Sequence, residues 1–405
     1  MKIAYLTYEL PPDIPKGGIG TYIMQVAKGL HNRKHEIYIF CASPYRDIVE
    51  CIDGINIFRV KASSPIDFNK KLPEVFCRAF EIYNFDIIES TDIHAHGKLI
   101  NQIILHVPMI VRLHAPNYLV ESFKKRYIGN LAKARFFLGA LRRRKWDLGY
   151  WRKYEKFSDE EYQFVANSRF ITAPSKHMKS WAVKTWNISP EKIQVLPNPF
   201  KASQLLLDIN IHAKENKTIL FFGRLNVLKG IVNATKALKR ILEEYPDWQF
   251  LIIGDDGPDP SMKGSMKDWV TEKLQEYSSR ISFKSGVQYE VLPSVIEQSD
   301  IIILPSLFES FSYACAEAMA GGKAVVGSMQ GGMADLIHNG YNGFLVDPFQ
   351  PSDIYKALKK LVQDPLLRKK FGANARASIC KLNNDKTWDQ FEQFYQTARE
   401  TFWTK

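Results

Sequence analysis

Two glutamates separated by seven residues make the stretch 305–322 the first candidate for chemistry. Glu309 and Glu317 follow the apolar run 300–304, which is typical of a buried strand. Residues 313–320 have the pattern of a helix, so Glu309 is predicted in the loop before that helix and Glu317 on it. The start of such a helix presents free backbone N–H groups to an anion. The residues predicted to line this start are Ser310, Phe311 and Ser312.

Two cations, Arg224 and Lys229, follow another apolar run, 218–222. A planar guanidinium and a compact ammonium can hold different oxygens of one phosphate-bearing ligand. An Arg and a Lys at this spacing are most often surface charges, and two glutamates are most often solvated helix residues. Their joint order with glycine-rich turns, each after a strand, is what favours a ligand site.

A third feature is the glycine-rich turn with Gly17, Gly18 and Gly20, which follows the apolar run 2–7. It fits only part of the G-x-G-x-x-G pattern, and the next strand, 35–40, ends without a ribose-binding acid. These departures argue against a dinucleotide cofactor.

His114 ends the apolar run 109–113 and is the last side chain singled out. A lone histidine in such a place is more often structural than functional. Weaker candidates around it are Arg112, Asn117 and Asn198.

The elements that must position these residues alternate between short apolar runs and helical patterns. The order of strand, loop, helix and strand over 2–40 is that of a parallel crossover unit, and the pattern restarts near residue 218. Pro197, Asn198 and Pro199 interrupt the periodicity between the two halves. The chain is therefore predicted to hold two successive doubly wound α/β domains.

Taken together, these motifs resemble the E-x7-E pattern of the retaining nucleotide-sugar glycosyltransferases of family 4, which have the two-domain GT-B fold. Further segments share the likeness: 222–225 with 229–230, 254–258, 331–332 with 343–346, and 17–20. Lys323 stands where that family usually has Pro, and Asp335 where it usually has Glu. Both lie outside the glutamate pair.

The resemblance implies an α/β fold with two Rossmann-like domains facing each other across a cleft. The N-terminal, acceptor-side domain is expected over 1–198 and the nucleotide-sugar domain over 199–375. The C-terminal helix, within 376–405, is expected to cross back onto the first domain.

The resemblance also implies transfer of a sugar, with retention, from a nucleotide-diphosphate sugar to a hydroxyl acceptor in glycan, polysaccharide or glycolipid synthesis. UDP-sugars are preferred as donor, with GDP- and ADP-sugars as alternatives. No cofactor or metal is expected, although Asp255, Asp256 and Asp259 form an acidic cluster. The implied catalytic residues are Arg224, Lys229, Glu309 and His114. The implied donor-binding residues are Gly17, Gly18, Gly20, Ser310, Phe311, Ser312 and Glu317. A non-catalytic nucleotide-sugar-binding or scaffold protein is the alternative.

Positive charge is concentrated in one segment, 124–156, which carries 12 Lys or Arg and two acids. The whole chain has 55 basic and 43 acidic residues and a formal charge of +12. Within the segment an apolar stripe runs at helical spacing from Tyr127 to Leu141. A solvated basic helix and a surface for an anionic membrane are both compatible with this pattern. Nucleic acid is not expected, since no nucleic-acid-binding motif accompanies the charge.

The five cysteines are scattered and form no C-x-x-C pair, which indicates a reducing compartment. The first residues lack the pattern of a secretory signal peptide, and no apolar run is long enough to span a bilayer. A cytoplasmic protein, at most peripheral on the inner face of a membrane, is therefore expected.

Overall fold

Two compact units make up the chain. The residues that the computed structural model describes are 1–14, 17–142, 154–261, 264–286, 290–382 and 385–402. Unit 1 comprises Met1–Asn117, Glu155–Lys201 and Leu382–Lys405. Unit 2 comprises Tyr118–Tyr154 and Ala202–Lys381. Each unit is a doubly wound α/β layer structure, as the alternating pattern predicts.

Unit 1 is built on one twisted sheet with helices packed against it. Its strands are β1 (Lys2–Leu6), β2 (Glu36–Ser43), β3 (Ile48–Ile52), β4 (Ile55–Lys61), β5 (Ile87–Thr91), β6 (Met109–Arg112), β7 (Phe170–Ala173) and β8 (Ile193–Val195). Its helices are α1 (Gly18–Asn32), α2 (Pro65–Tyr83), α3 (Lys98–Ile103), α6 (Glu160–Ala166), α7 (Lys176–Trp186) and α16 (Asp385–Thr401). The strand order is β3-β4-β2-β1-β5-β6-β7-β8.

Unit 2 repeats the arrangement on a second sheet. Its strands are β9 (Thr218–Phe222), β10 (Gln249–Ile253), β11 (Ile281–Lys284), β12 (Ile301–Leu304), β13 (Ala324–Ser328) and β14 (Phe344–Val346), in the order β11-β10-β9-β12-β13-β14. Its helices are α4 (Asn117–Tyr127, of which Asn117 lies in unit 1), α5 (Asn130–Arg142), α8 (Gln204–Leu207), α9 (Ile231–Glu244), α10 (Met266–Lys273), α11 (Leu292–Glu297), α12 (Tyr313–Ala320), α13 (Met333–Leu336), α14 (Pro351–Gln363) and α15 (Pro365–Cys380).

The central strands are buried on both faces, and this explains their continuous apolar composition. In β12, for example, all four residues are buried, and the core they join includes the apolar faces of α9 and α14. Because the strand order reverses between β1 and β5 in unit 1 and between β9 and β12 in unit 2, each sheet has a crevice at that point. Ligands of open α/β sheets bind there, outside the carboxyl ends of the strands.

The C-terminal helix α16 packs on unit 1 through buried polar contacts. The Tyr395 hydroxyl donates to Glu89 Oε2 at 2.6 Å, and the Tyr22 hydroxyl donates to Oε1 of the same carboxylate at 2.7 Å. Nearer the start of the helix, Arg33 pairs with Glu392 at 2.7 Å. These contacts fix the returning chain to helix α1 and strand β5.

Two features differ from the sequence-based expectation. Strands β3 and β4 form a hairpin at the edge of sheet 1 that the pattern analysis does not predict. Strand β3 is mostly exposed and does not read as a buried run, whereas β4 is mostly buried and its apolar run is missed. The basic segment also differs, because its residues 124–142 belong to unit 2 and not to the N-terminal domain. The stripe from Tyr127 to Leu141 does not lie on one helix, since α4 ends at Tyr127 and α5 begins at Asn130.

Candidate functional site

The predicted cations and the first predicted glutamate meet at the switch point of sheet 2. Arg224 and Lys229 follow β9, and Glu309 follows β12, its neighbour in the sheet. The Lys229 ammonium forms an ion pair with Glu309 Oε1, and the Ser306 hydroxyl donates to the same oxygen at 3.0 Å. The side chains of Lys229 and Glu309 are 35% and 18% exposed, so a ligand can reach both.

Backbone contacts bring the two loops together. Gly230 has φ +73°, and a side chain there would lie 1.8 Å from the carbonyl oxygen of Pro305. The Leu307 N–H donates to the carbonyl of Leu228 at 2.8 Å, which joins the loop after β12 to the turn that carries Lys229. Glycine at 230 is therefore needed both for its left-handed backbone and for this close approach.

The glycines at 331 and 332 hold the other side of the Glu309 loop. Gly331 has φ +91°, and a Cβ there would lie 2.0 Å from the carbonyl oxygen of Glu309. The Gly332 N–H donates to that carbonyl at 2.6 Å. The part of the chain predicted as a glycine motif thus serves to position the carboxylate of the first glutamate.

Arg224 stands on a turn that is itself supported from a neighbouring strand. The Leu225 N–H donates to the carbonyl of Asp255 at 2.9 Å, and a Cβ on Gly254 would lie 1.9 Å from the carbonyl oxygen of Gly223. Arg224 is exposed and makes no hydrogen bond or ion pair with any described residue. Its guanidinium is consequently available to an anion.

The start of α12 faces the same loop. The Ser312 hydroxyl caps the helix by accepting from the Cys315 N–H at 3.3 Å, so its role in the protein is that of an N-cap. The backbone N–H groups of Phe311 and Ser312 have no acceptor within the described part of the chain. They remain as donors for a bound anion. Ser310 lies half-buried between them and Glu309.

Glu317 lies on α12, half-buried and without a hydrogen-bond partner among the described residues. Burial raises the pKa of this carboxyl to about 8. A carboxyl group held without a partner in a poorly solvated place is typical of a ligand site. A hydroxyl-bearing ligand would supply the donors that the protein does not.

A separate cluster occupies the switch point of sheet 1. The glycine turn after β1 begins at Gly17, whose φ of +141° would strain any other residue and whose Cβ position lies 2.1 Å from the end of the Glu9 side chain. Gly18 has open space around its Cα, whereas a Cβ on Gly20 would lie 3.1 Å from Pro11 Cδ. Gly18 is therefore the glycine whose backbone a ligand can approach at the start of α1.

His114 is buried beside the carboxylate of Asp92. The backbone N–H of His114 donates to Asp92 Oδ1 at 2.9 Å. The ring atom Nδ1 lies 3.1 Å from the carbonyl oxygen of Arg112 and 3.4 Å from Asp92 Oδ1. Two oxygens facing Nδ1 favour the tautomer with the proton there. Atom Nε2 has no partner among the described residues, so it is the atom through which His114 can act on a ligand.

A second carboxylate, Glu161, joins the loops after β5 and β6. It accepts from the His94 N–H at 2.8 Å, the Asn117 N–H at 2.9 Å and Asn117 Nδ2 at 2.6 Å. His94 is held with φ +58°, a left-handed conformation that non-glycine residues rarely adopt. Burial raises the pKa of the Glu161 carboxyl to about 7.

Sequence reasoning missed Asp92, His94 and Glu161. The first two follow strand β5 directly, so the rule that ligands bind at carboxyl ends of strands could have found them. Glu161 lies on α6, far along the chain, and only the fold brings it to these loops. Of the weaker candidates, Arg112 donates to the Asn198 side chain at 2.6 Å and has a structural role.

Helix α4 packs beside the unit 2 site. The ring centroid of Phe123 lies 6.3 Å from that of Phe308, the residue before Glu309. Asn233 Nδ2 donates to the Tyr127 hydroxyl at 2.8 Å. In α5, by contrast, Phe137, Leu138 and Leu141 are 45%, 65% and 55% exposed. The basic residues within 143–153 lie outside the described residues, as do residues 287–289 of the loop after β11.

No group of three His, Cys, Asp or Glu that could hold a metal ion occurs among the described residues. In the predicted acidic cluster, Asp256 accepts from the N–H groups of Gly257 and Lys267 at 2.9 and 3.0 Å. A search of the described helices finds none both long and apolar enough to cross a bilayer.

Comparison with known proteins covers nearly the whole chain. A family model described as "Glycosyltransferase Family 4" matches residues 16–204, and one described as "Glycosyl transferases group 1" matches residues 206–378. An uncharacterized glycosyltransferase of Methanocaldococcus jannaschii is 26% identical to the chain, with 99% of each protein covered.

Solved structures show the same architecture. Sucrose-phosphate synthase from Thermosynechococcus elongatus superimposes with a TM-score of 0.73 at 19% identity, over 98% of each chain. The Anabaena protein HepE, solved in complex with UDP-glucose, superimposes with a TM-score of 0.63 at 19% identity, over 97% of this chain and all of that one. These matches confirm the two-domain GT-B fold that the sequence motifs predict.

Proposed function

Because the chain belongs to the family-4-like glycosyltransferases with the GT-B fold, we propose that it transfers a hexose, with retention, from a nucleotide-diphosphate sugar to a hydroxyl acceptor. The product would be a cell-surface glycan, polysaccharide or glycolipid. Unit 2 would bind the donor and unit 1 the acceptor.

The observation that carries this proposal is the convergence of Arg224, Lys229 and Glu309 at the switch point of sheet 2. Breaking the bond between a sugar and a diphosphate builds negative charge on the leaving group. Arg224 and Lys229, with the free N–H groups at the start of α12, provide fixed positive charge for it. Preorganised charge of this kind is usually the largest single contribution to catalysis.

The ion pair between Lys229 and Glu309 suggests how the site responds to a donor. When a diphosphate enters, its oxygens compete with Glu309 for the Lys229 ammonium. Glu309 is then released to accept hydrogen bonds from hydroxyls of the donor sugar and to stabilise positive charge at the anomeric carbon. The Ser306 hydroxyl would keep the released carboxylate in place.

Other residues would complete the donor site. Glu317 would accept hydrogen bonds from the ribose hydroxyls, which are the donors that it lacks in the free protein. Gly18 would let the backbone at the start of α1 approach the donor, with Gly17 and Gly20 shaping the turn. His114 would reach a hydroxyl of the donor sugar through Nε2.

A calorimetric titration tests donor binding. UDP-, GDP- and ADP-glucose would be titrated into the wild type, into Lys229→Ala, and into Lys236→Ala as the control. Lys236 is an exposed lysine on α9 of the same unit and makes no contact with the site loops. We expect UDP-glucose to bind best and Lys229→Ala to weaken it by roughly 10–100-fold, about 1.5–3 kcal/mol for a charged hydrogen bond. Equal affinity in all three proteins would contradict the proposal.

Retention at the anomeric carbon is tested on the product. With an α-linked donor, the proton coupling constant of the new linkage should be that of an α-glycoside. A β-linked product would show that the glutamate pair has been assigned to the wrong kind of reaction.

Metal independence is tested with a chelator. Since Arg224 and Lys229 would balance the diphosphate, transfer should continue at an unchanged rate in EDTA. If glycosyl transfer stops in EDTA and recovers when magnesium or manganese is added, a metal ion balances the diphosphate charge. That result would contradict this part of the proposal.

The exposed apolar side chains of α5 support a peripheral role at an anionic membrane on the cytoplasmic side. Leu138 and Leu141 share one helix face, and Arg135 and Arg142 lie on the same exposed helix. Each basic residue near such a surface contributes about 1 kcal/mol, and salt weakens it. Co-sedimentation should therefore be stronger with anionic than with neutral vesicles and should fall with salt. Equal sedimentation with both vesicles would leave α5 as a solvated helix.

The alternative is a scaffold that binds the nucleotide sugar without turning it over. Such a protein would give the calorimetric result above but release no free nucleotide and form no glycoside on prolonged incubation with acceptors. Arg224 has no hydrogen-bond or ion-pair partner within the described part of the chain, and this favours the enzyme, because such a cation at this place is suited to a leaving group.

A further inference from the structure

A cavity lies at the amino-terminal ends of the strands of sheet 2, opposite the proposed donor site. Its volume is about 40 Å³, enough for a few water-sized groups, so only a small polar group fits inside it. Lys323 and Asp300, which line it, directly precede β13 and β12, whereas Arg224 and Glu309 follow the carboxyl ends of strands. The strands of sheet 2 pair in parallel. The cavity and the proposed donor site therefore lie at opposite ends of the strands of the same sheet.

Three lysines line this cavity, Lys214, Lys323 and Lys369. Lys214 is exposed, Lys369 is half-buried, and neither makes a hydrogen bond or ion pair with any described residue. Lys323 is half-buried and donates only to the carbonyl oxygen of Glu297, at 2.9 Å. None of the three lysines forms an ion pair with a carboxylate among the described residues, although Asp300 and Glu297 act on Lys323 through space.

Most carboxylates that line the cavity bind groups other than the three lysines. Glu215 forms an ion pair with Arg368 at 2.6 Å. Asp300 accepts from the N–H groups of Asn216 and Thr218, both at 3.0 Å. Only the Glu297 carboxylate, which is exposed, makes no such contact within the described residues. The uncommitted groups are thus three cations and one anion.

Lys323 lies in the short turn between α12 and β13. Burial, with a smaller contribution from Arg376, lowers the pKa of its ammonium to about 8, against the opposing effect of Asp300 and Glu297. A lysine that only capped the end of α11 through the Glu297 carbonyl would need neither a cavity nor two further lysines around it.

We propose that this cavity binds the phosphate group of a small molecule, with Lys323 at its base and Lys214 and Lys369 at its rim. The site is independent of the donor site and of the proposed transfer reaction. The recognised chemistry is a phosphate dianion, whether as free phosphate or as a phosphate ester.

Pyridoxal 5′-phosphate is a suitable probe because it carries both a phosphate and an aldehyde. The Lys323 amine adds to the aldehyde carbon, water leaves, and the resulting imine is fixed by added borohydride, which supplies the hydride. Peptide mass spectrometry then locates the label. We expect Lys323 to be labelled about tenfold more than the exposed Lys236, since a buried lysine with a lowered pKa carries more free amine.

Pyridoxal, which has the same aldehyde without the phosphate, is the matched control. Labelling of Lys323 by pyridoxal 5′-phosphate should exceed labelling by pyridoxal, and Lys214→Ala together with Lys369→Ala should remove this difference. Inorganic phosphate and glycerol 3-phosphate should both protect Lys323, and the more effective protector identifies free phosphate or a phosphate ester as the better ligand. Lys323→Arg should keep the charge and abolish the label.

Equal labelling by the two aldehydes would show a reactive lysine without a phosphate site and would overturn the proposal, as would no labelling of Lys323. The probe can also react at Lys229, and UDP should protect Lys229 without protecting Lys323. Because the label is located residue by residue, failure at Lys323 is distinguishable from failure of the donor-binding proposal.

Discussion

Lys229 and Glu309 form an ion pair, and this pair defines the charge state of the unit 2 site without a ligand. Each group would otherwise be a partly buried charge, and each is instead balanced by the other. In the sequence, each of the two residues follows a predicted strand, and this indicates a ligand site. Their positions along the chain do not indicate that the two side chains contact each other. Their contact depends on β9 and β12 being neighbours in the sheet, which is a property of the strand order.

Glu317 should make stability depend on pH. Its folded-state pKa of about 8 lies above the usual value near 4.5, because burial favours the neutral carboxyl. As the pH rises from about 4.5 to 8, the unfolded chain loses this proton and the folded chain keeps it, so stability falls over that window. The upper limit is about 1.4 kcal/mol per unit of pKa shift.

Glu317→Gln should therefore be less sensitive to pH than the wild type. Between pH 5 and pH 8 its melting temperature should fall less, while its affinity for a nucleotide sugar should be lower. Glu243→Gln, at an exposed position on α9, serves as the control and should follow the wild type. Parallel melting curves for all three proteins across this pH range would contradict the burial of Glu317.

Glu161→Gln tests the other unit. The amide would place its NH2 group against donors, because all three groups that face Glu161 Oε1 and Oε2 are N–H groups. An unsatisfied buried donor costs about 1–3 kcal/mol, so the loops that carry His94 and Asn117 should relax. If unit 1 binds the acceptor, KM for the acceptor should rise and the affinity for the donor should be unchanged.

The neighbouring Glu160→Gln is the control for that experiment, since the Glu160 side chain is 71% exposed. It should behave as the wild type in both measurements. A loss of donor affinity equal to the loss of acceptor affinity in Glu161→Gln would indicate general unfolding of unit 1 and not a local effect.

Among elements, the loop between β12 and α12 is the one that most depends on its neighbours. The sequence predicts this loop and its helix closely, because the boundary at Tyr313 coincides with the Ser312 cap. What it does not predict is that the glycines at 331 and 332 pack on the Glu309 backbone. A glycine pair in a sequence indicates conformational freedom, but it does not indicate which part of the chain packs against the glycines.

Gly331→Ala tests that packing. Gly331 and Gly340 both have positive φ, +91° and +80°, but a Cβ at 331 would lie 2.0 Å from the Glu309 carbonyl oxygen, whereas at 340 nothing lies within 4 Å. Gly340→Ala thus carries the conformational strain alone, about 1 kcal/mol. Donor affinity should fall in Gly331→Ala and be retained in Gly340→Ala. Equal losses in both variants would mean that strain, and not the position of Glu309, decides binding.

The elements that the sequence misread share a physical cause. Periodicity detects burial, so the exposed strand β3 has no signal, and the apolar stripe of the basic segment is interpreted as one helix. The break at Ile128 and Gly129 divides that stripe into a half-buried end, at Tyr127, and an exposed end, at Leu138 and Leu141. Pattern alone cannot separate an apolar face that packs from one that faces solvent.

For the whole molecule, each unit places its candidate residues at the switch point of its own sheet. The alternation of strands and helices suffices to predict two doubly wound layers, because each buried parallel strand needs a crossover helix. No local sequence pattern predicts the strand order, and the location of each switch point depends on that order. The family resemblance implies the GT-B fold, which the solved structures confirm, but it does not give the strand order.

The most direct test of the central claim is the turnover number of Arg224→Ala and Lys229→Ala, measured as glycoside formed from a saturating nucleotide sugar. If these cations stabilise the leaving diphosphate, each variant should lose roughly 10²–10³-fold in kcat, or about 2.7–4 kcal/mol of transition-state stabilisation. Lys236→Ala should retain the wild-type rate, and all three variants should unfold at the wild-type temperature. Wild-type turnover in both Arg224→Ala and Lys229→Ala would contradict the account, because the charge that builds on the leaving group would then be balanced by other residues.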